Sequence, residues 1–277
     1  MESPAGRQDT LTRRAFVGAA AVILLDALSG EAHAQSTPAS AGPTDPMLIE
    51  DLVAANRILV DQGVLDGYGH VSARHDRDPN RYLMSRSLAP ELVTAADILE
   101  YDLDSTPVEP RGRSLYLERF IHGEIYRARP DVKAIVHHHS PSVIPFGVSP
   151  VPLRPLYHMS AFLGEGVPIF DIRDAASAMT DMLIRTPALG RALAQTLGPR
   201  PAALMRGHGA VVIGPAMPHA VVRSVYLELN ARLQAQALAL GGPVKYLDPE
   251  EARLADATNQ GTYGRPWELW KRKALAK

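Results

Sequence analysis

"KAIVHHHSPSV" (residues 133–143) sets three consecutive histidines at the end of an apolar, β-branched run. The segment VKAIV reads as a buried strand, and Ser140-Pro141 marks its end. Successive strand side chains point to opposite faces, so His137 and His139 share one face while His138 points to the other. Two imidazoles at i and i+2 can reach one metal ion of zinc size, at a Zn–N distance of about 2 Å. The competing reading is a pair of histidines bonded to backbone or water. A third ligand is needed before the pair counts as a site.

"AALMRGHGAVVIG" (residues 202–214) is apolar on both sides of Gly207-His208-Gly209, which predicts two β arms joined by a tight bend. Glycines permit tight backbone geometry there, and an imidazole between them projects from a fixed point. A solvent-exposed turn histidine is the plainer alternative. Taken together, His137, His139 and His208 would make a three-histidine site with open positions, the form of catalytic rather than structural metal centres.

Composition narrows the classes. The chain has 277 residues, 46% hydrophobic and 21% charged, with a formal net charge of −1. These values suit one globular domain with a sizeable core. Near-neutral charge without a long basic run argues against nucleic acid as a partner. There are no cysteines, so disulfides and thiolate chemistry are excluded and histidine and carboxylate remain as metal ligands.

Residues 1–34 have the layout of a secretory signal: Arg13-Arg14, an apolar stretch, and a closing Ala32-His33-Ala34. "TRRAFV" looks like a twin-arginine export motif, which predicts a periplasmic protein, or a cytoplasmic one if the segment is not a working signal. The apolar run is too short for a comfortable span, so no stable membrane association is expected after its removal. Residues 35–45 read as a linker and residues 46–277 as the domain. Asp45 and Pro46 open a helix that Gly63 stops. "GYGHVSAR", "RYLMSR" and "DILEYDLDSTPVEP" each read as a strand, and a helix is expected from about Ser114 to Pro130. After the histidine strand comes a Pro-rich stretch of unseparated strands and loops, then a helix in "TPALGRALAQTLG". A long helix from about Pro218 to Leu240 and a helical tail from Pro249 complete the chain. Helices alternating with short strands predict a three-layer α/β/α domain.

"RGRSLYLERFIHGEIYRARPDVKAIVHHHSPS" (residues 111–142) and "LMRGHGAVVIG" (residues 204–214) together resemble the class II aldolase/adducin family. The likeness runs from about Met47 to Tyr246. It implies a central mixed, mostly antiparallel sheet and one divalent metal ion per subunit, with Zn2+ ahead of Mn2+, Fe2+ or Co2+. It places His137, His139 and His208 as ligands and Glu118 as acid/base. Spacing alone does not select Glu118, because Glu118 and His122 could equally be a surface i, i+4 pair and Glu124 is also at hand. The likeness further implies a cyclic homotetramer in which Tyr263 completes a neighbour's site. Trp267 and Trp270, on an otherwise charged tail, are expected to lie in a subunit contact.

Sugar-phosphate aldolases of this family cradle phosphate with small hydroxyl residues and glycines. This chain has Gly69-His70-Val71-Ser72, Ser85-Arg86-Ser87-Leu88 and Tyr116-Leu117 at those places. Arg86 and Arg113 offer forked donors suited to a carboxylate, although exposed surface arginines are the alternative. The pattern looks like a branch that decarboxylates hydroxylated aromatic acids. On that reading His70, Ser85, Arg86, Ser87 and Arg113 bind a small carboxylate substrate. Glu118, His158, Tyr157 or a water would supply the proton. An aldolase or epimerase acting on a sugar derivative, an iron-dependent oxygenase and a non-catalytic adducin-like binding module are the competing functions. The last predicts loss of the histidines, and all three are present.

Overall fold

The computed structural model describes residues 37–164 and 166–276. The expected signal segment lies outside the described residues. Residues 37–45 are not a free linker. Ser40 Oγ and the Ala41 N–H donate to the Glu100 carboxylate at 2.6 and 2.8 Å, and Thr44 Oγ1 pairs with His75 Nε2 at 3.1 Å.

Helix α1 (Pro46–Asp61) begins where Asp45 caps the Met47 N–H at 2.9 Å, with Pro46 in the first turn, a cap worth about 1 kcal/mol. It leads into β1 (His70–Arg74), β2 (Arg81–Ser85) and β3 (Ile98–Asp102), an antiparallel meander. Next come α2 (Arg119–Ala128), β4 (Ala134–His138), α3 (Ile144–Val148), a 3-10 helix (His158–Leu163), β5 (Ile169–Phe170), α4 (Ile172–Ala176) and α5 (Pro187–Leu197). The hairpin β6 (Ala202–Met205) and β7 (Gly209–Gly214) precedes α6 (Met217–Ala239), α7 (Pro249–Gln260) and α8 (Gly264–Leu275). Among the described residues no helix is long and apolar enough to cross a membrane.

The strands form one sheet in the order β3-β2-β1-β4-β7-β6-β5, antiparallel except for β5 beside β6. Strand alternation divides the core into two faces. Ile135, Val211, Ile213, Tyr82 and Met84 pack under α2 and α5 with Ile121, Ile125 and Leu193. Ala134, Val136, Val71, Ala73 and Leu83 pack on α1, α6 and α8. This is the three-layer arrangement. His137 and His139 follow Ile135 in phase, and His70 and Ser72 alternate with Val71 and Ala73. All four therefore belong to the α2 face.

Two expectations are corrected. The helix begins at Arg119, not near Ser114. The Ser87 N–H donates to the Ser114 carbonyl at 2.8 Å and Tyr116 Oη to the Leu88 carbonyl at 2.6 Å, which ties residues 114–117 to the loop after β2. The tail tryptophans are less exposed than expected: Trp267 is buried and Trp270 half-buried in the core beside α1 of the same chain, so exposure gives no argument for a subunit contact there.

Candidate metal centre

Four side chains converge on the α2 face at the end of β4. His139 Nε2 lies 3.0 Å from His137 Nε2 and 3.0 Å from His208 Nε2. Glu118 Oε2 lies 3.5 Å from His137 Nε2 and 3.4 Å from His208 Nε2. One ligand atom from each of the four falls within 4.8 Å of every other. Tetrahedral bonds of about 2 Å place ligand atoms roughly 3.3 Å apart, so the histidine nitrogens have the spacing of a single-ion site.

Tautomers strengthen this fit. His137 Nδ1 pairs with the Ala210 carbonyl at 3.1 Å and His208 Nδ1 with the Met182 carbonyl at 3.0 Å. A carbonyl only accepts, so each Nδ1 carries a proton and each Nε2 faces inward, free to give a lone pair to a cation or, without one, a proton to Glu118. His139 Nε2 has at most one proton and cannot satisfy both. Three Nε2 atoms and a carboxylate facing one point call for positive charge between them.

The backbone sets this geometry. Gly207, with φ of 62°, makes the bend that carries His208. Gly209 lets β7 pass close to β4, where an added Cβ would stand 2.1 Å from the His138 carbonyl oxygen. Glu118 is the residue that caps α2, yet its side chain makes no cap bond. Its Oε1 instead accepts the Ile184 N–H at 2.9 Å. Burial would raise the Glu118 carboxyl, but His137 and His208 outweigh it and hold the group well below the usual range. Burial, helped by His137 and His208, pushes His139 down to about 4. Burial also opposes charge on His208, where the bond to Glu118 prevails and raises it.

A cavity of about 380 Å³ opens beside the cluster, lined by Tyr68, His70, Ser87, Leu88, Ala89, Tyr116, Leu117, Glu118, His139 and Leu183 among others. His70 and Ser87 thus reach the place expected of them. Ser85 is buried behind, 3.5 Å from Tyr116 Oη. Arg86 and Arg113 do not line this cavity. Arg86 Nε pairs with Asp97 Oδ1 at 2.7 Å, and Arg113 donates to the carbonyls of Ala96, Glu109 and Pro110. His158 and Tyr263 are not brought to the cluster in this chain. His158 is exposed, with its carbonyl bound by Asn259 Nδ2 at 2.6 Å. Tyr263 is only 1% exposed and its ring packs against His219, which lies beside Gly214 at the far end of β7. His138 faces away, as strand alternation requires, and pairs with Ser140 Oγ at 2.9 Å.

Sequence reasoning missed a buried row behind His70. His70 Nδ1 meets His122 Nε2 at 2.7 Å, His122 Nδ1 meets Ser72 Oγ at 2.6 Å, and Ser72 Oγ meets Tyr126 Oη at 2.9 Å. The i, i+2 alternation of His70 and Ser72, set against the i, i+4 pair His122 and Tyr126, was the available signal. The Met182 carbonyl and Ile184 N–H were also missed, and backbone groups leave no such signal.

Residues 50–235 match the model of the Class II Aldolase and Adducin N-terminal domain. The chain is 36% identical over 247 residues to the decarboxylase tropJ of Talaromyces stipitatus, covering 81% of this chain and 93% of that protein. It is 30% identical over 223 residues to the 3,4-dihydroxyphthalate decarboxylase of Arthrobacter keyseri, covering 75% and 86%. Among solved structures, the L-fuculose 1-phosphate aldolase of Glaciozyma antarctica superposes with a TM-score of 0.69 at 24% identity, over 84% of this chain and 93% of that one. The convergent histidines, the sheet that carries them and these matches agree: the chain belongs to the class II aldolase/adducin family.

Proposed function

We propose that this protein is a metal-dependent carboxy-lyase acting on a hydroxylated aromatic acid. The observation that carries the reading is the donor set of His137, His139, His208 and Glu118 at the edge of a cavity walled by Tyr68, Leu88, Tyr116, Leu117 and Leu183. Such walls suit a flat, largely apolar ring. Among the described residues lining the cavity there is no lysine or arginine, so a phosphate dianion held away from the cluster would meet no counter-charge there. An acid whose hydroxyl and carboxylate both face the donor set needs none. Similarity to tropJ and to a 3,4-dihydroxyphthalate decarboxylase supports the same reaction class.

A divalent cation held by these four residues supplies Lewis-acid stabilisation of the oxygen on which negative charge develops. Glu118 does the proton work. Ionised at rest, its carboxylate takes the proton of the substrate hydroxyl, which raises electron density at the ring carbon bearing the carboxylate. Glu118 then returns that proton to this carbon. The bond to the carboxylate breaks, CO2 leaves, and the electron pair restores the aromatic ring. One solvent proton reprotonates the hydroxyl, so the balance is one carboxylate and one proton in, one phenol and one CO2 out. The Ile184 N–H keeps Glu118 Oε1 fixed while Oε2 faces the cluster. Leu117 and Leu183 flank Glu118 at the cavity and limit water near the carbanion-like carbon.

The test loads the full chain with Zn2+, Mn2+, Fe2+ or Co2+ and follows CO2 from ortho-hydroxy aromatic acids, 3,4-dihydroxyphthalate included. A parallel arm follows aldehyde from L-fuculose 1-phosphate. Metal-dependent CO2 release without aldehyde is expected. Aldehyde release without CO2 would replace this reading with an aldolase.

A further inference from the structure

The buried row His70, His122, Ser72 and Tyr126 contains no metal ligand, yet it ends at the cavity. Its polarity follows from counting protons. Tyr126 Oη is buried, and among the described residues its one hydrogen-bond partner is Ser72 Oγ. The phenol must place its proton somewhere, and a buried O–H with no acceptor is costly. Tyr126 therefore donates to Ser72 Oγ. The serine proton is then free for His122 Nδ1, which must accept it. A neutral His122 that accepts at Nδ1 carries its proton on Nε2 and donates it to His70 Nδ1. A neutral His70 that accepts at Nδ1 carries its proton on Nε2. With Nδ1 committed to His122, Nε2 is the polar atom His70 offers the cavity it borders. The reverse polarity leaves the buried phenol proton unmatched. The 2.7 Å contact between His70 and His122 needs one bare nitrogen, and Ser72 Oγ, already an acceptor from Tyr126, presents its proton to His122 Nδ1.

We propose that Tyr126, Ser72 and His122 form a directed relay that fixes His70 as its Nε2–H tautomer, so that an N–H rather than a lone pair faces the cavity. Two consequences follow for a residue whose ring centroid is 5.0 Å from that of His137. His70 is kept out of the ligand set, because a protonated nitrogen cannot bind a cation. It is also equipped to donate to an anionic oxygen, the carboxylate or developing phenolate of a hydroxyaromatic acid. This second consequence rests on the carboxy-lyase reading; the tautomer does not. Ser72, His122 and Tyr126 act through His70 and are positioning residues.

The experiment is nitrogen-15 NMR of the zinc-loaded full chain labelled at histidine, in which protonated and unprotonated ring nitrogens resonate far apart. The His70 signals are assigned by their disappearance in His70→Gln. The parent should show His70 protonated at Nε2 and bare at Nδ1. Ser72→Ala should give a mixture of His70 tautomers, and Ser72→Thr, which keeps the hydroxyl, should restore the parent pattern. With 3,4-dihydroxyphthalate as probe, kcat should fall about 10–100-fold in Ser72→Ala, the usual effect of losing an orienting partner, and recover in Ser72→Thr. A parent His70 protonated at Nδ1, or a Ser72→Ala spectrum like the parent's, overturns the relay. If Ser72→Ala fails to fold, the parent spectrum still decides. Absence of CO2 release with a correct tautomer would count against the carboxy-lyase reading alone.

Discussion

Glu118→Gln separates metal binding from chemistry. Glutamine has the shape of glutamate, so its amide oxygen can keep accepting the Ile184 N–H that now lies 2.9 Å from Oε1. Its amide nitrogen would face the lone pairs of His137 and His208, now 3.5 and 3.4 Å from Oε2, and could donate to them. The metal-free variant should nevertheless melt somewhat below the parent, because the site favours the ionised carboxylate and that stabilisation is lost with the charge. A carboxylate and a divalent ion at about 3.5 Å would attract by roughly 10 kcal/mol at an effective dielectric near 20. The carboxylate's own desolvation offsets much of that gain. A net loss of about 1.5–3 kcal/mol, or one to two orders of magnitude in metal Kd, is the expected result. At saturating metal the affinity loss disappears and only the proton step is read. There kcat for CO2 release should drop about 10²–10⁴-fold, the usual contribution of a positioned acid/base. Parent-like kcat at saturating metal would refute the role given to Glu118.

Gly209→Ala should lower the melting temperature and abolish metal uptake. The new Cβ would stand 2.1 Å from the His138 carbonyl oxygen and 3.0 Å from its carbon, so β7 must leave β4; Gly264→Ala, with nothing within 4 Å, is the control. Overpacking of this kind costs typically about 1–3 kcal/mol. Metal-free protein should lose stability from pH 7.5 to 5.5. Burial holds His122 and His138 near 3, so the unfolded chain takes protons below about 6.5 that the folded chain refuses. Stability from these two is complete above about pH 6.5–7 and falls as the pH drops, by about 3 kcal/mol together at pH 5.5. His208, raised by Glu118, works in the opposite sense but is one group against His70, His122, His138 and His139. A stability flat across that range in urea titrations would contradict the burial of His122 and His138 as neutral rings. Arg86→Ala should leave KM for an aromatic acid unchanged and cost at most about 1 kcal/mol, the worth of its part-exposed pair with Asp97. A tenfold rise in KM would restore Arg86 as a carboxylate binder.

The parts of the site that depend on side-chain periodicity were legible in the sequence. Alternation along β4 was enough to pair His137 with His139 and turn His138 away, and the glycines around His208 marked its bend. The same alternation puts His70 and Ser72 on the face of α2. Their partners were hidden by the helix itself. Residues 121–126 of α2 are all buried, polar and apolar alike, because one side meets the sheet and the other meets α5 and the loop after β3. At Gly123 an added Cβ would reach the Leu103 carbonyl oxygen at 2.7 Å. His122 stands off the apolar stripe of Ile121 and Ile125 yet is buried with them, so it read as one half of a surface pair.

The choice between Glu118 and Glu124 was illegible for a different reason. Both are buried glutamates, and Glu124 is answered by Arg191 at 3.2 Å. What distinguishes Glu118 is that it precedes the first turn, where the loop after β2 holds residues 114–117 out of the helix. From that position its carboxylate reaches forward to Ile184 rather than back over its own N-terminus. The segment that receives it works through backbone atoms: Met182, at φ of 69°, turns a carbonyl to His208, and Ile184 turns an N–H to Glu118. Every residue other than proline has an N–H and every residue a carbonyl, so no residue type announces these contacts. The arginines show the converse. Arg86 and Arg113 announce their charge, yet which acceptor each meets depends on where Asp97 and the carbonyls of Ala96, Glu109 and Pro110 come to rest. Sequence can therefore name the ligands that a cation demands, while the groups that aim those ligands are assigned only once the chain has folded.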